Sequence, residues 1–183
     1  MKTTEPAEIK AQKPNVIIRP ARPEDLHPYR ELRLEALREH PEAFSADYET
    51  DLSQPEQYWR ERFLNSLGDN NGLIVFSTVE DRLVGMTGIV IGSSPKTRHE
   101  GLIWGVYVRP ELRGFRLAAG MIEQCAAWGR RRGLKQVKLG VATTNGPAIR
   151  AYLQAGFSVY GVDPEVIYTN GVYIDELLMV KRL

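Results

Sequence analysis

The 183-residue sequence has a single cysteine, Cys125, and three widely separated histidines. One cysteine cannot form a disulfide within the chain and is typical of a reducing compartment, so we expect a cytoplasmic protein. Because His27, His40 and His99 lack the spacing of metal ligands, we expect no metal site. No apolar run approaches the ~20 residues of a membrane-spanning helix, and residues 1–15 lack the apolar centre of a secretion signal.

The chain also lacks an excess of charge of either sign. Its 24 basic and 23 acidic side chains leave a formal net charge of +1, so no overall field would draw it to nucleic acid or to an anionic membrane. Neither a phosphate loop ending in Gly-Lys-Ser/Thr nor the glycine fingerprint of dinucleotide-binding folds occurs. The length predicts one domain over residues 16–183, preceded by a flexible tail at 1–15.

Hydrophobic periodicity predicts the element order β α α β β β α β α β β, which is an α/β (α+β) arrangement. We expect a mixed sheet of about seven strands flanked by about four helices, with a parallel crossover through a helix at 117–132. Turn residues at Glu80-Asp81 and Asn170-Gly171 predict two antiparallel hairpins. Apolar residues at both parities predict that the strand from Leu102 to Val108 is buried on both faces. Pro41 to Ser53 is predicted to be a polar loop.

One junction carries a chemical signal. The strand ending at Val106-Tyr107-Val108 runs through a short basic turn directly into a helix that begins near Leu117. Several backbone N–H groups and a helix N-terminus then converge on one point, which is a physical arrangement suited to binding phosphate.

The turn, Arg113-Gly114-Phe115-Arg116-Leu117-Ala118, resembles the acyl-CoA pyrophosphate loop of the GNAT superfamily of N-acyltransferases, whose pattern is Gln/Arg-x-x-Gly-x-Gly/Ala. The segment from Asn145 to Phe157 is similar to the family's second motif, an Asn, Ala, Tyr and Gly-Phe series. The ending from Tyr173 to Met179 is similar to family C-terminal strands, and the element order matches from Ile17 onward. The resemblance implies a GNAT fold that transfers an acetyl group from acetyl-CoA to a primary amine of a small molecule or peptide by direct attack. Dimers are frequent in the family, which leaves a homodimer open.

The resemblance also implies which residues bind the cofactor. Loop N–H groups would hold the pyrophosphate, and the preceding strand would pair with the pantetheine arm and stabilise the oxyanion. The implied cofactor-binding residues are Val106, Tyr107, Val108, Arg113, Gly114, Phe115, Arg116, Leu117, Ala118 and Asn145. Arg116 stands at the family's central glycine, where a Cβ limits the turn, although its guanidinium could clamp a phosphate. This departure leaves an alternative function: a GNAT-fold acyl-CoA-binding or regulatory module with weak or no catalysis.

Two catalytic residues are implied. Tyr152 shares a helix face with Asn145 and would protonate the departing thiolate, although it could instead be a core residue while Asn145 caps the helix. Glu100, just before the central strand, is the candidate base for the amine, with Asp175 and Glu176 as alternatives.

The resemblance also implies that the predicted loop at 41–53, between the first two helices, helps to line the acceptor site. Its acids Glu42, Asp47, Glu49 and Asp51 would favour a cationic amine, and Phe44 and Tyr48 would supply an apolar wall. A solvated acidic loop is the alternative. Cys125 falls on an apolar helix stripe, which predicts a buried structural thiol rather than a nucleophile.

Overall fold

The computed structural model describes residues 15–67 and 71–183. The predicted tail at 1–15, apart from Asn15, therefore lies outside the described residues.

The described residues form seven strands and five helices. The strands are β1 (Val16–Pro20), β2 (Gly72–Val79), β3 (Arg82–Ile91), β4 (Glu100–Val108), β5 (Gln136–Ala142), β6 (Ser158–Thr169) and β7 (Val172–Arg182). The helices are α1 (Leu26–Glu39), α2 (Tyr48–Leu52), α3 (Glu56–Leu64), α4 (Leu117–Arg131) and α5 (Gly146–Gln154).

The strands make one mixed sheet of order β1-β2-β3-β4-β5-β7-β6, which confirms the predicted fold. Strands β4 and β5 are parallel and are joined through α4, whereas each other neighbouring pair in the described sheet is antiparallel. Residues Glu80 and Asp81 have φ angles of 48° and 61°, and Asn170 and Gly171 have 51° and 79°. Two consecutive positive φ angles are what a tight two-residue hairpin turn requires, so both predicted hairpins form.

Helices cover both faces of the sheet. Helix α4 lays its apolar stripe on one face, where its buried residues meet those of the central strands: Met121, Ile122 and Cys125 pack with Ile103, Val137 and Leu139. Helices α1 and α3 cover the opposite face in the same way: Tyr29, Leu32, Trp59 and Phe63 pack with Ile74, Phe76 and Met86. Cys125 is fully buried, and this burial raises the pKa of its thiol to about 12. No described helix combines the length and the apolar character needed to cross a membrane.

Two local predictions are wrong. The loop predicted at 41–53 contains a 3-10 turn (Pro41–Ala43) and the helix α2, which Asp47 caps by accepting a hydrogen bond of 2.8 Å from the Thr50 N–H. A helix of five residues is too short to leave a periodic signal. Leu102 is 51% exposed because α1 packs over β3 rather than over this part of β4, so one face of the strand is uncovered there.

Candidate active site

A cleft opens where two parallel strands separate. Strands β4 and β5 pair over only their first three residues, from Glu100 opposite Gln136 to Leu102 opposite Lys138. Beyond that point the strands diverge, and a cavity of about 830 Å³ lies between them. Backbone N–H and C=O groups on this edge of β4 have no strand partner there, so an extended chain that carries amides could pair with them.

A bulge in β4 lies at the mouth of this cleft. Trp104 pairs with Gly88 and Tyr107 pairs with Met86, so Gly105 and the residue after it share one partner on β3. Gly105 has a φ of +64°, which glycine adopts without strain. A bulge bends its strand and takes backbone groups out of the ladder. One or more N–H groups near Val106 are therefore placed to meet a ligand in the cavity.

The basic turn forms one end of the cleft. Gly114 has a φ of +89°, and Arg116 has φ 59° and ψ 24°, a left-handed conformation, at the N-cap of α4. A side chain in this conformation costs about 1–2 kcal/mol, so the turn keeps a glycine-type backbone despite the arginine. The first N–H groups of α4 then point outward without helical partners, and Leu117 and Ala118 line the cavity. The guanidinium of Arg116 is exposed and makes no hydrogen bond or ion pair within the described residues.

Arg113 links this turn to the segment after α1. Its Nε donates to the Val108 carbonyl at 3.1 Å, and its Nη2 lies 2.8 Å from Nε2 of His40. Since arginine can only donate, Nε2 of His40 accepts and its proton is assigned to Nδ1, which lies 3.4 Å from Glu42 Oε1. His40 and Glu42 both line the cavity. Sequence reasoning gave His40 no role, although its place at the end of α1, just before the predicted acceptor loop, was a usable signal.

Helix α5 supplies two cavity residues. The Oδ1 of Asn145 accepts a hydrogen bond of 3.2 Å from the Ala148 N–H and so caps the helix, while the side chain also lines the cavity. Tyr152 lines the cavity beside it and packs on Phe157, with ring centroids 6.1 Å apart. Burial raises the pKa of the Tyr152 phenol, which therefore stays protonated at neutral pH. Its hydroxyl makes no hydrogen bond with any described residue and is free to donate to a ligand.

Glu100 does not lie with the other predicted residues. It stands at the closed end of the cleft, outside the cavity lining. Its carboxylate contacts Lys138 Nζ at 2.6 Å and accepts a hydrogen bond of 2.8 Å from Gln136 Nε2. These contacts, of which the one with Lys138 has the largest effect, hold the pKa of Glu100 below its ordinary value. The carboxylate is therefore a weak base.

The two alternative carboxylates differ from each other. Asp175 accepts a hydrogen bond of 2.9 Å from the Glu165 N–H and thereby supports the irregular part of β6. The carboxylate of Glu176 instead lies over Gly140, where an added Cβ would overlap it, and Gly140 lines the cavity. Burial, and then the nearby charge of Asp163, raise the pKa of Glu176. Glu176 is therefore a stronger base than an ordinary carboxylate.

The remaining predicted residues divide between the cavity and other places. Phe115 is 42% exposed and lies outside the cavity lining. Of the four acids expected to select the acceptor, Glu42 reaches the cavity, whereas Asp47 caps α2 and Asp51 is buried 3.8 Å from Arg33. Phe44 lines the cavity as an apolar wall. Within the described residues no group of three or more His, Cys, Asp or Glu side chains could hold a metal ion.

Comparisons with known proteins agree with this geometry. A family model described as the acetyltransferase (GNAT) family matches residues 29–157. The relative named L-amino acid N-acetyltransferase AaaT, from Escherichia coli (strain K12), is 27% identical over 131 residues, which are 69% of this chain and 76% of that protein.

Solved structures of low identity show the same fold. An acetyltransferase of the GNAT family from Streptococcus pneumoniae is 20% identical with a TM-score of 0.81, and the match covers 92% of this chain and 99% of that one. The putative acetyltransferase yncA from Salmonella typhimurium, solved with acetyl-CoA, is 22% identical with a TM-score of 0.74 and coverages of 92% and 94%.

Proposed function

The chain belongs to the GNAT family of acetyltransferases, and we propose that it transfers an acetyl group from acetyl-CoA to a primary amine of a small molecule or peptide by direct attack. The observation that carries this proposal is the continuity of the cavity. It runs from the N-terminus of α4, past the free edge of β4, to Tyr152 on α5. Phosphate, amide and thioester groups occur in that order along acyl-CoA, and each would meet a suitable protein group along this path.

The donor would lie along this path. Its pyrophosphate would accept hydrogen bonds from the N–H groups between Gly114 and Ala118, where the α4 dipole favours negative charge. Its pantetheine amides would pair with the free edge of β4. The thioester carbonyl would then lie at the bulge, where an N–H near Val106 would stabilise the oxyanion that forms on attack.

The chemical step would exchange one bond for another. The amine nitrogen bonds to the acetyl carbon, the C–S bond breaks, and the electron pair leaves on sulfur. The hydroxyl of Tyr152 donates a hydrogen bond or its proton to this thiolate. The amine loses a proton, and among Glu100, Asp175 and Glu176 the last fits that role best, because its pKa is raised and its carboxylate lies against Gly140, which lines the cavity.

The alternative of an inactive binding module rested on Arg116, and no observation favours it. The backbone at 116 adopts a left-handed conformation, which is the conformation that glycine adopts without strain. The N–H groups of the turn are therefore still presented together, and the loop keeps its means of binding a pyrophosphate.

An acetylation assay tests the proposed function. The purified protein is mixed with acetyl-CoA and a panel of primary amines, and both free CoA thiol and acetylated product are measured by mass spectrometry. L-Amino acids belong in the panel because the relative AaaT is named for them. We expect product with at least one amine; binding of acetyl-CoA without transfer to any amine would favour the inactive module instead.

A single substitution tests the acid. Tyr152→Phe should lower kcat by about 10²–10⁴-fold and leave the Kd of acetyl-CoA unchanged, since it removes only the group that meets the leaving sulfur. The matched control is Tyr168→Phe, because Tyr168 is 64% exposed and lies outside the cavity lining. An unchanged kcat for Tyr152→Phe would exclude this tyrosine from the mechanism.

A further inference from the structure

A carboxylate on α1 holds the segment of chain that follows the β4 bulge. Glu35 accepts two hydrogen bonds from the Arg109 guanidinium, from Nε at 2.9 Å and from Nη2 at 2.7 Å. The hydroxyl of Tyr107 donates to the same carboxylate at 3.1 Å. Burial, and then the charge of Glu35, raise the pKa of Tyr107, so its phenol stays protonated and remains a donor. One acidic side chain therefore joins α1 to two residues on one face of the extended segment.

This link is sheltered from solvent and has a fixed geometry. The side chains of Arg109 and Glu35 are 12% and 22% exposed, and a two-pronged arginine–carboxylate pair fixes orientation as well as distance. Glu39 Oε2 lies 3.4 Å from the same tyrosine hydroxyl and gives it a second, longer contact. The other polar contact near the end of α1, between Arg113 and His40, involves an exposed arginine and contributes less. The Glu35 pair is therefore the stronger of the two arginine contacts.

The segment beyond the bulge needs such a contact because the sheet holds it on one side. Beyond Leu102, β5 no longer pairs with β4, and the bulge begins at Gly105, the residue type that restrains the backbone least. On the other side β3 still pairs with the chain, and the Arg109 N–H donates to the Val84 carbonyl at 2.9 Å. Ladder hydrogen bonds lie in the plane of the sheet and do not by themselves fix how far the strand bends out of that plane. A directional contact from one face, which Glu35 supplies, fixes that bend.

We propose that Glu35 is a positioning residue for acyl transfer: by holding Tyr107 and Arg109, it directs the backbone N–H near Val106 at the oxyanion. The inference rests on the proposed function. Val106 lies between the glycine of the bulge and the first residue that Glu35 holds, so a small rotation there changes the direction of its N–H. A displacement of about 1 Å at a reacting centre can lower the rate by about 100-fold. Glu35 is outside the cavity lining, so it acts through β4 and touches neither substrate nor cofactor.

An isosteric substitution tests this inference. Glu35→Gln keeps the shape but turns one acceptor atom into a donor, so it should lower kcat by about 10–100-fold. The Kd of acetyl-CoA should stay within about threefold, because the contact acts on the chemical step. Titration calorimetry gives this Kd and the number of binding sites, and kcat per site corrects for misfolded protein. Glu31→Gln is the matched control with unchanged kcat, since Glu31 is exposed one turn earlier on α1.

The outcomes of this test are distinct. An unchanged kcat in Glu35→Gln would overturn the inference and leave the proposed function standing. An equal loss of acetyl-CoA binding would mean that the contact only supports the shape of the cleft, and it would also overturn the inference. No transfer to any amine by the wild type would instead contradict the proposed function.

A double-mutant cycle tests whether Glu35 acts through its contact with Arg109. Arg109→Met should lower kcat as Glu35→Gln does, and the double variant should be no more than about twofold slower than the slower single variant. Arg109→Lys keeps the charge without the two-pronged geometry, so it should restore part of kcat. If the two losses of kcat multiply in the double variant, the residues act separately, and the inference is wrong.

Discussion

Arg116 offers the sharpest test of how the cofactor loop is built. Its left-handed backbone, with φ 59° and ψ 24°, costs an arginine about 1–2 kcal/mol. Glycine would remove that cost, but its greater conformational freedom would stabilise the unfolded chain by about 0.4–1 kcal/mol. The difference predicts that Arg116→Gly stabilises the protein by about 1 kcal/mol. For a chain of this size that is a rise in Tm of about 2–4 °C.

A second substitution separates the backbone from the guanidinium. Arg116→Ala removes the charge but keeps the Cβ, so it should leave the Tm near that of the wild type. If the guanidinium binds the pyrophosphate, both variants should bind acetyl-CoA about tenfold more weakly than the wild type. This is the low end of the range for a charged hydrogen bond, because the Arg116 side chain is exposed. Binding by the variants should also depend less on salt, since one ionic contact is gone.

Calorimetry measures both quantities on the same preparations. Titration calorimetry gives the Kd of acetyl-CoA at two salt concentrations, and scanning calorimetry gives the Tm. If Arg116→Gly is no more stable than Arg116→Ala, the strain assigned to the left-handed backbone is wrong. If both variants bind acetyl-CoA as tightly as the wild type, the guanidinium does not contact the phosphate.

Two further predictions concern carboxylates and pH. The Asp25 carboxylate accepts two hydrogen bonds from Arg19, at 2.6 and 2.8 Å, and one of 2.7 Å from the Arg22 N–H. Burial alone would raise the pKa of Asp25, but these contacts outweigh it and hold the pKa below its ordinary value. The resulting stability is present above the unfolded-state pKa of about 4 and is lost as the pH falls through the lower folded-state pKa. Asp25→Asn should therefore lower the free energy of unfolding, measured in urea at pH 7, by about 2–3 kcal/mol. It should also reduce the loss of stability at acid pH; an unchanged loss would contradict the assignment. The second prediction concerns Glu176, whose folded-state pKa is raised, so its ionisation destabilises the fold as the pH rises. Activity should increase over the same pH range, because the ionised carboxylate can act as a base. Glu176→Gln should lower kcat by about 10²–10⁴-fold, leave the Kd of acetyl-CoA unchanged and remove this limb from the pH–kcat profile; a variant that keeps the limb would assign the proton to another group.

The fold was predictable because its signals are local. Periodic apolar residues located the long elements, and the start of α4 matches the prediction. The pairs at 80–81 and 170–171 located the hairpins because their residues adopt positive φ angles. Helix α2 was missed because five residues are too few to show a hydrophobic periodicity. The exposure of Leu102 was missed because it depends on which strand α1 covers.

The site was predictable only where it follows from backbone order. The turn after β4 and the start of α5 are adjacent to recognisable motifs, and most of the predicted cofactor residues line one cavity. Glu100 shows the limit of that reasoning. Its position just before the central strand suggested the cleft, but parallel pairing with β5 places it at the closed end, where Lys138 and Gln136 engage its carboxylate. Which end of a strand borders a cavity depends on long-range pairing that no single segment encodes.

Acceptor selection shows the same limit. The acidic residues after α1 suggested a cationic acceptor, but Asp47 and Asp51 serve the local fold, and Glu42 is the one of those four acids in the cavity lining. Capping and ion pairing depend on contacts that form only on folding, so the sequence pattern of these acids does not by itself select the acceptor.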